Sequence, residues 1–296
     1  MPFGVLPIHA QMAQRAGFEA FEISGGMTSW WVGGVADAGL LTMTEMVEHA
    51  ARVAKSVDIP VFADADTGYG NAVNTWRTTQ EFVRAGVAGI HIEDQVEPKK
   101  AGGQAGIQIV SDEEAVGRLR AAVDAKNELD PDFVIVARTD AYAAEGGSLE
   151  EAIRRGNLYL KEAGADVIFY EGLRSWDEVR RALKETDGPA YAITSRHAGR
   201  HPSLAELSEM GQKINIVPFI LPGIQEVWSL LLKVKQSGEL APIDDYLEQL
   251  FQKQGQEDFV GWGDAFISPN YEDVRRWEEK YLPADKQRDY ENTVHD

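Results

Sequence analysis

The sequence predicts an α/β fold, a closed (β/α)8 barrel with a helical C-terminal extension, and three observations predict it. Short apolar runs alternate with amphipathic helical stretches from the first residues to about residue 220, and eight such runs can be counted. Strands separated by helices pair in parallel, and eight of them close on themselves. RAGFEAFEIS from Arg15, RAGVAGIHIED from Arg84 and EAGADVIFYEG from Glu162 also repeat one pattern: a helix end with Ala-Gly, then a strand. Glycine suits the left-handed position that closes a helix. A doubly wound open sheet is the competitor, and it is weakened because no GxGxxG follows the first strand. A chain of 296 residues fits one such barrel, which runs to roughly 250 residues, plus an extension.

In order, the strand candidates are FGVLPI near residue 3, EAFEIS to Ser24, IPVFADAD over 59–66, GIHIED through Glu93, FVIVARTD over 133–140, DVIFYEG through Glu171, PAYAIT near 189 and INIVPF near 214. The helices between them include TEMVEHAARVAKSV, AVNTWRTTQEFVRAG, DEEAVGRLRAAVDAK and SLEEAIRRGNLYLKEAG, with His9 placed at the start of the first helix. After residue 240 the alternation breaks into IDDYLEQLFQ, the aromatic-rich FVGWGDAFISPNY and EDVRRWEEKYL. Domains of 1–240 and 241–296 are therefore expected. Phe259, Trp262, Phe266, Trp277 and Tyr281 in the extension call for packing on a neighbouring subunit or across the barrel.

The C-terminal ends of barrel strands form the active-site face, and here they carry Ser24, Asp64, Asp66, Glu93, Arg138, Asp140 and Glu171. Asp64 and Asp66 stand at i and i+2 on one strand face, where they repel unless a cation sits between them. With Glu93 they offer hard oxygen donors and no thiol, a set suited to Mg2+ or Mn2+ rather than zinc. The alternative is that these acids pair with Arg138 or Lys99. Arg138 could clamp a substrate carboxylate or phosphonate, or neutralise Glu171. Ser24-Gly25-Gly26 is a glycine turn able to present N–H groups to an anion, and Trp30-Trp31 reads as packing.

Composition narrows the partners. With 48 acids against 29 bases the formal charge is −19, which opposes nucleic acid and anionic membranes and demands a local cation for any small anionic substrate. The chain has no cysteine, so neither disulfides nor thiol chemistry enter. No apolar run reaches the ~18 residues of a membrane span, and MPFGVLPIHA lacks a secretory pattern. A cytoplasmic protein is expected.

The motifs EISGGM (22–27), ADAG (36–39), FADADTGYGN (62–71), GIHIEDQVEPKK (89–100), VARTDA (136–141) and IFYEG (168–172) together resemble the isocitrate lyase and phosphoenolpyruvate mutase superfamily. Within it they resemble the 2-methylisocitrate lyase and carboxyphosphonoenolpyruvate mutase branch. The resemblance covers about residues 3 to 235, in order. It implies a Mg2+-dependent barrel, a homotetramer with C-terminal helices exchanged between subunits. Asp64 would ligate the metal directly, while Asp37, Asp66 and Glu93 hold its waters. Ser24, Gly25, Gly26 and Thr194 would bind a small anionic carboxylate substrate with Arg138. Lys99 would stabilise charge and Glu171 orient the site, with chemistry passing through a metal-stabilised enolate.

Departures from the pattern shift the expected function. Lys99-Lys100-Ala101-Gly102-Gly103 stands where the lyase branch has a Lys-Arg-Cys-Gly-His lid, and an alanine methyl transfers no proton. Ser195-Arg196-His197 and Arg200-His201 bring bases after the seventh strand. Such bases either face the mouth, favouring a further anion on the substrate, or form a solvated loop. Gln225 replaces an arginine after the eighth strand, and Leu6-Pro7-Ile8 replaces polar residues at the end of the first. The expectation is a lyase cleaving a carbon–carbon bond of a small 2-hydroxy or 2-oxo di- or tricarboxylate. Carbon–phosphorus chemistry, oxaloacetate decarboxylation and a non-catalytic ligand-binding homologue are the alternatives.

Overall fold

The computed structural model describes residues 1–290, without the side chains of Arg196 and Asp264. It separates into two compact units, Met1–Ile224 and a second that begins at Gln225.

The first unit holds seven parallel strands, β1 (Phe3–Gly4), β2 (Phe21–Ile23), β3 (Val61–Asp64), β4 (Gly89–Glu93), β5 (Val134–Thr139), β6 (Val167–Leu173) and β7 (Ala190–Thr194). They pair in strict sequence order, each with the next. Helices α1 (Pro7–Arg15), α2 (Gly25–Thr28), α3 (Met43–Ala54), α4 (Ala72–Ala85), α5 (Asp112–Leu129), α6 (Leu149–Leu158), α7 (Trp176–Glu185) and α8 (Leu204–Glu209) fall between and after them. From α3 to α8 every helix starts at a Ser, Thr or Asn whose side chain accepts the N–H three residues on. That bond satisfies a donor the first turn would otherwise leave open. The repeated Ala-Gly pairs behave as expected, with Gly17, Gly86 and Gly164 at φ 85°, 86° and 75°. His9 lies in α1, where its Nδ1 accepts the N–H groups of Val5 and Leu6 at 3.2 Å each.

Strand alternation divides the core. Outward residues Phe21, Ile23, Ala63, Ile90, Ile92, Ile135, Ile168 and Tyr170 pack against the helices. Phe62, Val134, Val136, Val167, Phe169, Tyr191 and Ile193 form a second cluster on the other face, joined by Ile214 and Ile216. That second face continues, two residues at a time, into Asp64, Arg138 and Glu171, so the polar residues stand on an apolar plug.

The expected eighth strand at INIVPF is not a strand. It makes one bridge, Pro2 to Val217, because Pro2 and Pro218 have no N–H to extend a ladder. The segment nevertheless reaches both edges of the sheet. The Lys213 N–H donates to Ala190 O at 3.1 Å, and Phe3 N–H to Val217 O at 3.2 Å. The Gln212 amide takes the place of a strand backbone, bonding Ala192 N at 3.1 Å and Ala192 O at 2.9 Å.

Helix α9 (Leu221–Ser237) carries the chain across the unit boundary. Among the described residues of the second unit, α10 (Ala241–Phe251) and α11 (Tyr271–Tyr281) follow. No helix of the described residues is long and apolar enough to cross a membrane.

Candidate active site

A cavity of about 980 Å3 opens at the C-terminal strand ends, walled by Glu22, Ser24, Gly26, Asp37, Asp64, His91, Arg138, Glu171, Thr194 and the stretch 102–105 among others. Asp64, at the end of β3, is fixed from three sides. Its Oδ1 accepts the Asp66 N–H at 2.8 Å and lies 3.5 Å from His91 Nδ1. The third side is Gly25, where a Cβ would stand 2.2 Å from Asp64 Oδ2; at Gly26 it would stand 2.8 Å from Asp37 Oδ2. The expected glycine turn is therefore also a cradle for two carboxylates. The Ser24 hydroxyl, expected to face substrate, accepts the Met27 N–H at 3.3 Å and caps α2. Gly25→Ala is expected to push the Asp64 carboxyl out of place and to cut kcat by about a hundredfold, as misplacing a catalytic group by ~1 Å does. Steady-state kinetics with circular dichroism on the variant check this.

After β3 the chain turns through Asp66 (φ 46°), Gly68 (φ 94°), Tyr69 (φ 57°) and Gly70 (φ 140°). Left-handed backbone at Asp and Tyr is costly and persists where the surroundings impose it. The turn directs Asp66 to Lys99, whose Nζ reaches Asp66 Oδ1 at 2.7 Å and also contacts Asp37. Lys99 is only 2% exposed. Burial opposes its charge, but Glu93, Asp64, Asp66 and Asp37 outweigh burial and hold it protonated. Lys99 thus lies within the acid cluster instead of reaching across the cavity. Burial and the neighbouring Asp64 push Asp66 up to about 6 despite Lys99.

Arg138 is held by acids. It donates to both oxygens of Asp140 at 2.9 and 3.0 Å, faces Glu93 at 3.2 Å and Glu171 at 3.8 Å, and lies over the Phe169 ring at 5.3 Å. Both pairings raised by the sequence as an alternative to metal are therefore present, Lys99 with Asp66 and Arg138 with Glu93. They leave a deficit, since neither Glu93 oxygen has a hydrogen bond. Burial raises the Glu93 carboxyl well above the usual range, and Arg138 and Lys99 only partly counter it. Asp64 goes the other way: burial opposes its charge, and His91, Lys99 and Arg138 overcome that.

Behind Arg138 lies a buried hub. Asp94 accepts Tyr159 OH at 2.7 Å, Thr139 Oγ1 at 2.8 Å and the Asp140 N–H at 2.9 Å, and so fixes the loop that carries Asp140. Gln95 pins the base of the 99–103 stretch by bonding Lys100 N at 2.8 Å and Lys100 O at 2.9 Å.

Three titratable cavity residues, Glu22, His91 and Arg174, went unread in the sequence. Glu22 and His91 join through Oε1 and Nε2 at 3.1 Å. Burial pulls the His91 imidazole down, but Asp64 and Glu22 outweigh it, so its proton is held more tightly. Glu22 and His91 each lie two residues before a recognised strand-end residue, Ser24 and Glu93, and carrying the alternation one step deeper would have found them. Trp30, read as packing, is a cavity-wall residue and 49% exposed; Trp31 does pack, edge-on to His9 at 5.7 Å. Of the bases after β7, His197 lines the cavity, while Arg200 and His201 line a separate surface groove with Trp176. The Arg196 side chain lies outside the described residues.

Glu171 sits under the lid stretch, so close that a Cβ on Gly102 would be 2.3 Å from its Oε1. Burial pushes its carboxyl up to about 7 against the pull of Arg138. A folded-state affinity above the ordinary 4.5 means the native protein binds more protons than the unfolded chain across that window. Stability is therefore lost as pH rises from about 4.5 to about 7. Relative to Glu171→Gln, the wild type is expected to lose about 2 kcal/mol across that window, read by denaturant unfolding at each pH.

The family model for phosphoenolpyruvate phosphomutase matches residues 7–220. The chain belongs to this family. It is 48% identical over 212 residues to 2,3-dimethylmalate lyase of Eubacterium barkeri, covering 71% of this chain and 71% of that one. It is 37% identical over 262 residues to 2-methylisocitrate lyase of Aeropyrum pernix, covering 87% and 81%. Among solved structures, a phosphonopyruvate hydrolase complex with oxalate and Mg2+ superposes with a TM-score of 0.75 at 29% identity, covering 95% of this chain and 93% of that one. The superfamily resemblance read from the motifs is borne out.

Proposed function

We propose that this chain is a divalent-metal-dependent lyase that cleaves the carbon–carbon bond of a small 2-hydroxy or 2-oxo di- or tricarboxylate through an enolate. The observation that carries the metal is Glu93, a buried carboxylate with no hydrogen bond at either oxygen, beside buried Asp64 and Asp66. Such a cluster is costly unless cations and water meet it. Among the described residues no three of His, Cys, Asp and Glu converge tightly enough to hold an ion alone. The donor set, buried carboxylate oxygens without a thiol, suits Mg2+, or Mn2+ in its place, which binds through one or two carboxylates and keeps several waters. Asp64 would be its direct ligand, with Asp37, Asp66 and Glu93 taking the waters. Bound there, the ion would supply positive charge to the substrate's C2 oxygen once its proton has left.

The protein's own groups do the rest. Ser24, Gly25, Gly26 and Thr194 hold the substrate carboxylate, and Arg138, kept rigid by Asp140, adds charge to the same end. For a 2-hydroxy acid, the hydroxyl gives its proton to water in the cavity and the C2–C3 bond breaks to leave a 2-oxo acid. The electron pair stays on the second fragment, which then takes up a proton. Glu171, whose carboxyl keeps a proton near neutrality, is the cavity group suited to proton exchange at that carbon, since 102–105 contribute only Gly, Gly, Gln and Ala to the wall. The lack of a lid acid favours a second reading, carbon–phosphorus chemistry. We further assign residues 212–217 as the eighth stave of a closed barrel and α9 to α11 as subunit-exchanged helices. On α9, Val227, Trp228 and Leu231 are 61%, 56% and 58% exposed, more apolar surface than an isolated chain keeps in water.

A lactate dehydrogenase-coupled assay on 2,3-dimethylmalate and 2-methylisocitrate with Mg2+ is expected to register pyruvate. Phosphorus NMR on phosphonopyruvate tests the second reading, and light scattering tests the tetramer. Silence in both assays, together with no calorimetric signal for Mg2+ plus oxalate, overturns the proposal.

A further inference from the structure

Charge is segregated around this cavity. Glu22, Asp37 and Asp64 come from the β2 and β3 side, whereas Arg138, Arg174 and His197 come from β5 and the turns after β6 and β7, where Glu171 of β6 is the one lining acid and faces Arg138 at 3.8 Å. Arg138 already pairs with Asp140, Glu93 and Glu171. Arg174 has no such pairing: among the described residues no carboxylate lies within ion-pair distance of its guanidinium, in a chain with a surplus of 19 acids.

A local irregularity puts Arg174 there. Strict alternation after Phe169 and Glu171 would send Leu173 to the cavity and Arg174 away from it. Instead the β6–β7 register shifts between Tyr170 and Leu173, and Gly172 turns at φ 73°. Leu173 is thereby buried in the helix-facing core, and Arg174 lines the cavity. Bulges re-aim side chains in this way beside active sites. Of the acids nearest in sequence, Glu171 faces Arg138 and Asp177 pairs with Arg180 at 2.7 Å, while Glu178 is already engaged, taking the Arg174 backbone N–H at 2.9 Å and Tyr142 OH at 2.9 Å. It anchors the Arg174 main chain and leaves the side chain available. His197 joins the same wall from a turn capped by the Ser195 hydroxyl at 3.3 Å.

We propose that Arg174, assisted by His197, is a subsite for a second carboxylate on the substrate, carried by the fragment remote from the metal-binding acids. The inference rests on the acidic arc being the cation end of the site, as argued above. A guanidinium takes a carboxylate through two parallel hydrogen bonds, and in so acidic a protein it is the local charge a dianion needs. The site then selects dianionic over monoanionic acids.

The test is calorimetric binding in Mg2+ with three probes: oxalate, malate and 2-hydroxybutyrate, the last two differing by one carboxylate. Wild type is expected to bind malate at least about tenfold more tightly than 2-hydroxybutyrate, the scale of one charge-assisted pair. Arg174→Gln is expected to erase that margin while leaving oxalate and 2-hydroxybutyrate unchanged. Arg174→Lys keeps part of it, and His197→Gln loses a smaller share. A margin that survives Arg174→Gln, a wild type without one, or an equal loss for all three probes overturns the subsite. Absence of oxalate binding in every variant sinks the cation reading alone, because the malate margin still reads on Arg174.

Discussion

Arg138→Ala is expected to lower the free energy of unfolding by about 3–5 kcal/mol and to abolish turnover. The side chain is buried at the centre of three carboxylates, bonded through two nitrogens to Asp140 and lying within 3.2 Å of Glu93 and 3.8 Å of Glu171. Removing it leaves those acids facing one another in a low-dielectric interior, where the cost is the uncompensated charge and not merely the lost bonds. The Asp140 main chain is held in place, because its N–H is tied to Asp94 at 2.9 Å. Arg138→Lys keeps the charge but cannot make the two-pronged contact with Asp140, so it should recover less than half of the stability and little of the rate. Urea unfolding and steady-state kinetics on the two variants decide this. A stable, active Arg138→Ala protein would show that the acids relax without their partner.

Asp64→Asn is expected to reduce kcat by a factor of about 10³ or more and to remove divalent binding, with the fold intact. The substitution keeps the volume that fits against Gly25, where there is no space for a Cβ. It deletes the one carboxylate of the cluster that His91, Lys99 and Arg138 keep ionised in spite of burial. Mn2+ titration followed by electron paramagnetic resonance reads binding independently of catalysis. Undiminished Mn2+ affinity in the variant would rule out Asp64 as the direct ligand and shift the site toward Glu93 and Asp66.

Much of this arrangement was legible because strands obey a period of two. Asp64, Arg138 and Glu171 end apolar runs, and in an ordered parallel sheet such ends gather at one rim. The Ala-Gly pairs marked helix ends for the same local reason, since a left-handed residue closes the last turn whatever the tertiary context. Glu22 and His91 escaped because the alternation was followed only to the rim and not one step further down the strands. INIVPF read as a strand on apolar content alone, while the two prolines that limit its ladder belong partly to a distant segment, Pro2.

Other features had no local signal. Lys99 reads as a lid cation ready to meet substrate, but the left-handed turn at Asp66 and the position of Asp37 draw its ammonium into the acids. Nothing in the local sequence marks Arg174, and the bulge in β6 sends it inward. The Ser24 hydroxyl accepts an N–H of the four-residue helix that follows, which fixes its position and leaves its own proton to donate. Sequence by itself determined the class of fold, the rim on which charge collects and the hard-oxygen character of that charge, because these follow from alternation and residue type over short spans. Tertiary structure alone decided which acid each cation neutralises, which buried carboxylate is left without a hydrogen bond and that Arg174 lines the cavity without an ion pair among the described residues. Those outcomes depend on turns and register between strands far apart in the chain, where a shift of one residue exchanges core for cavity.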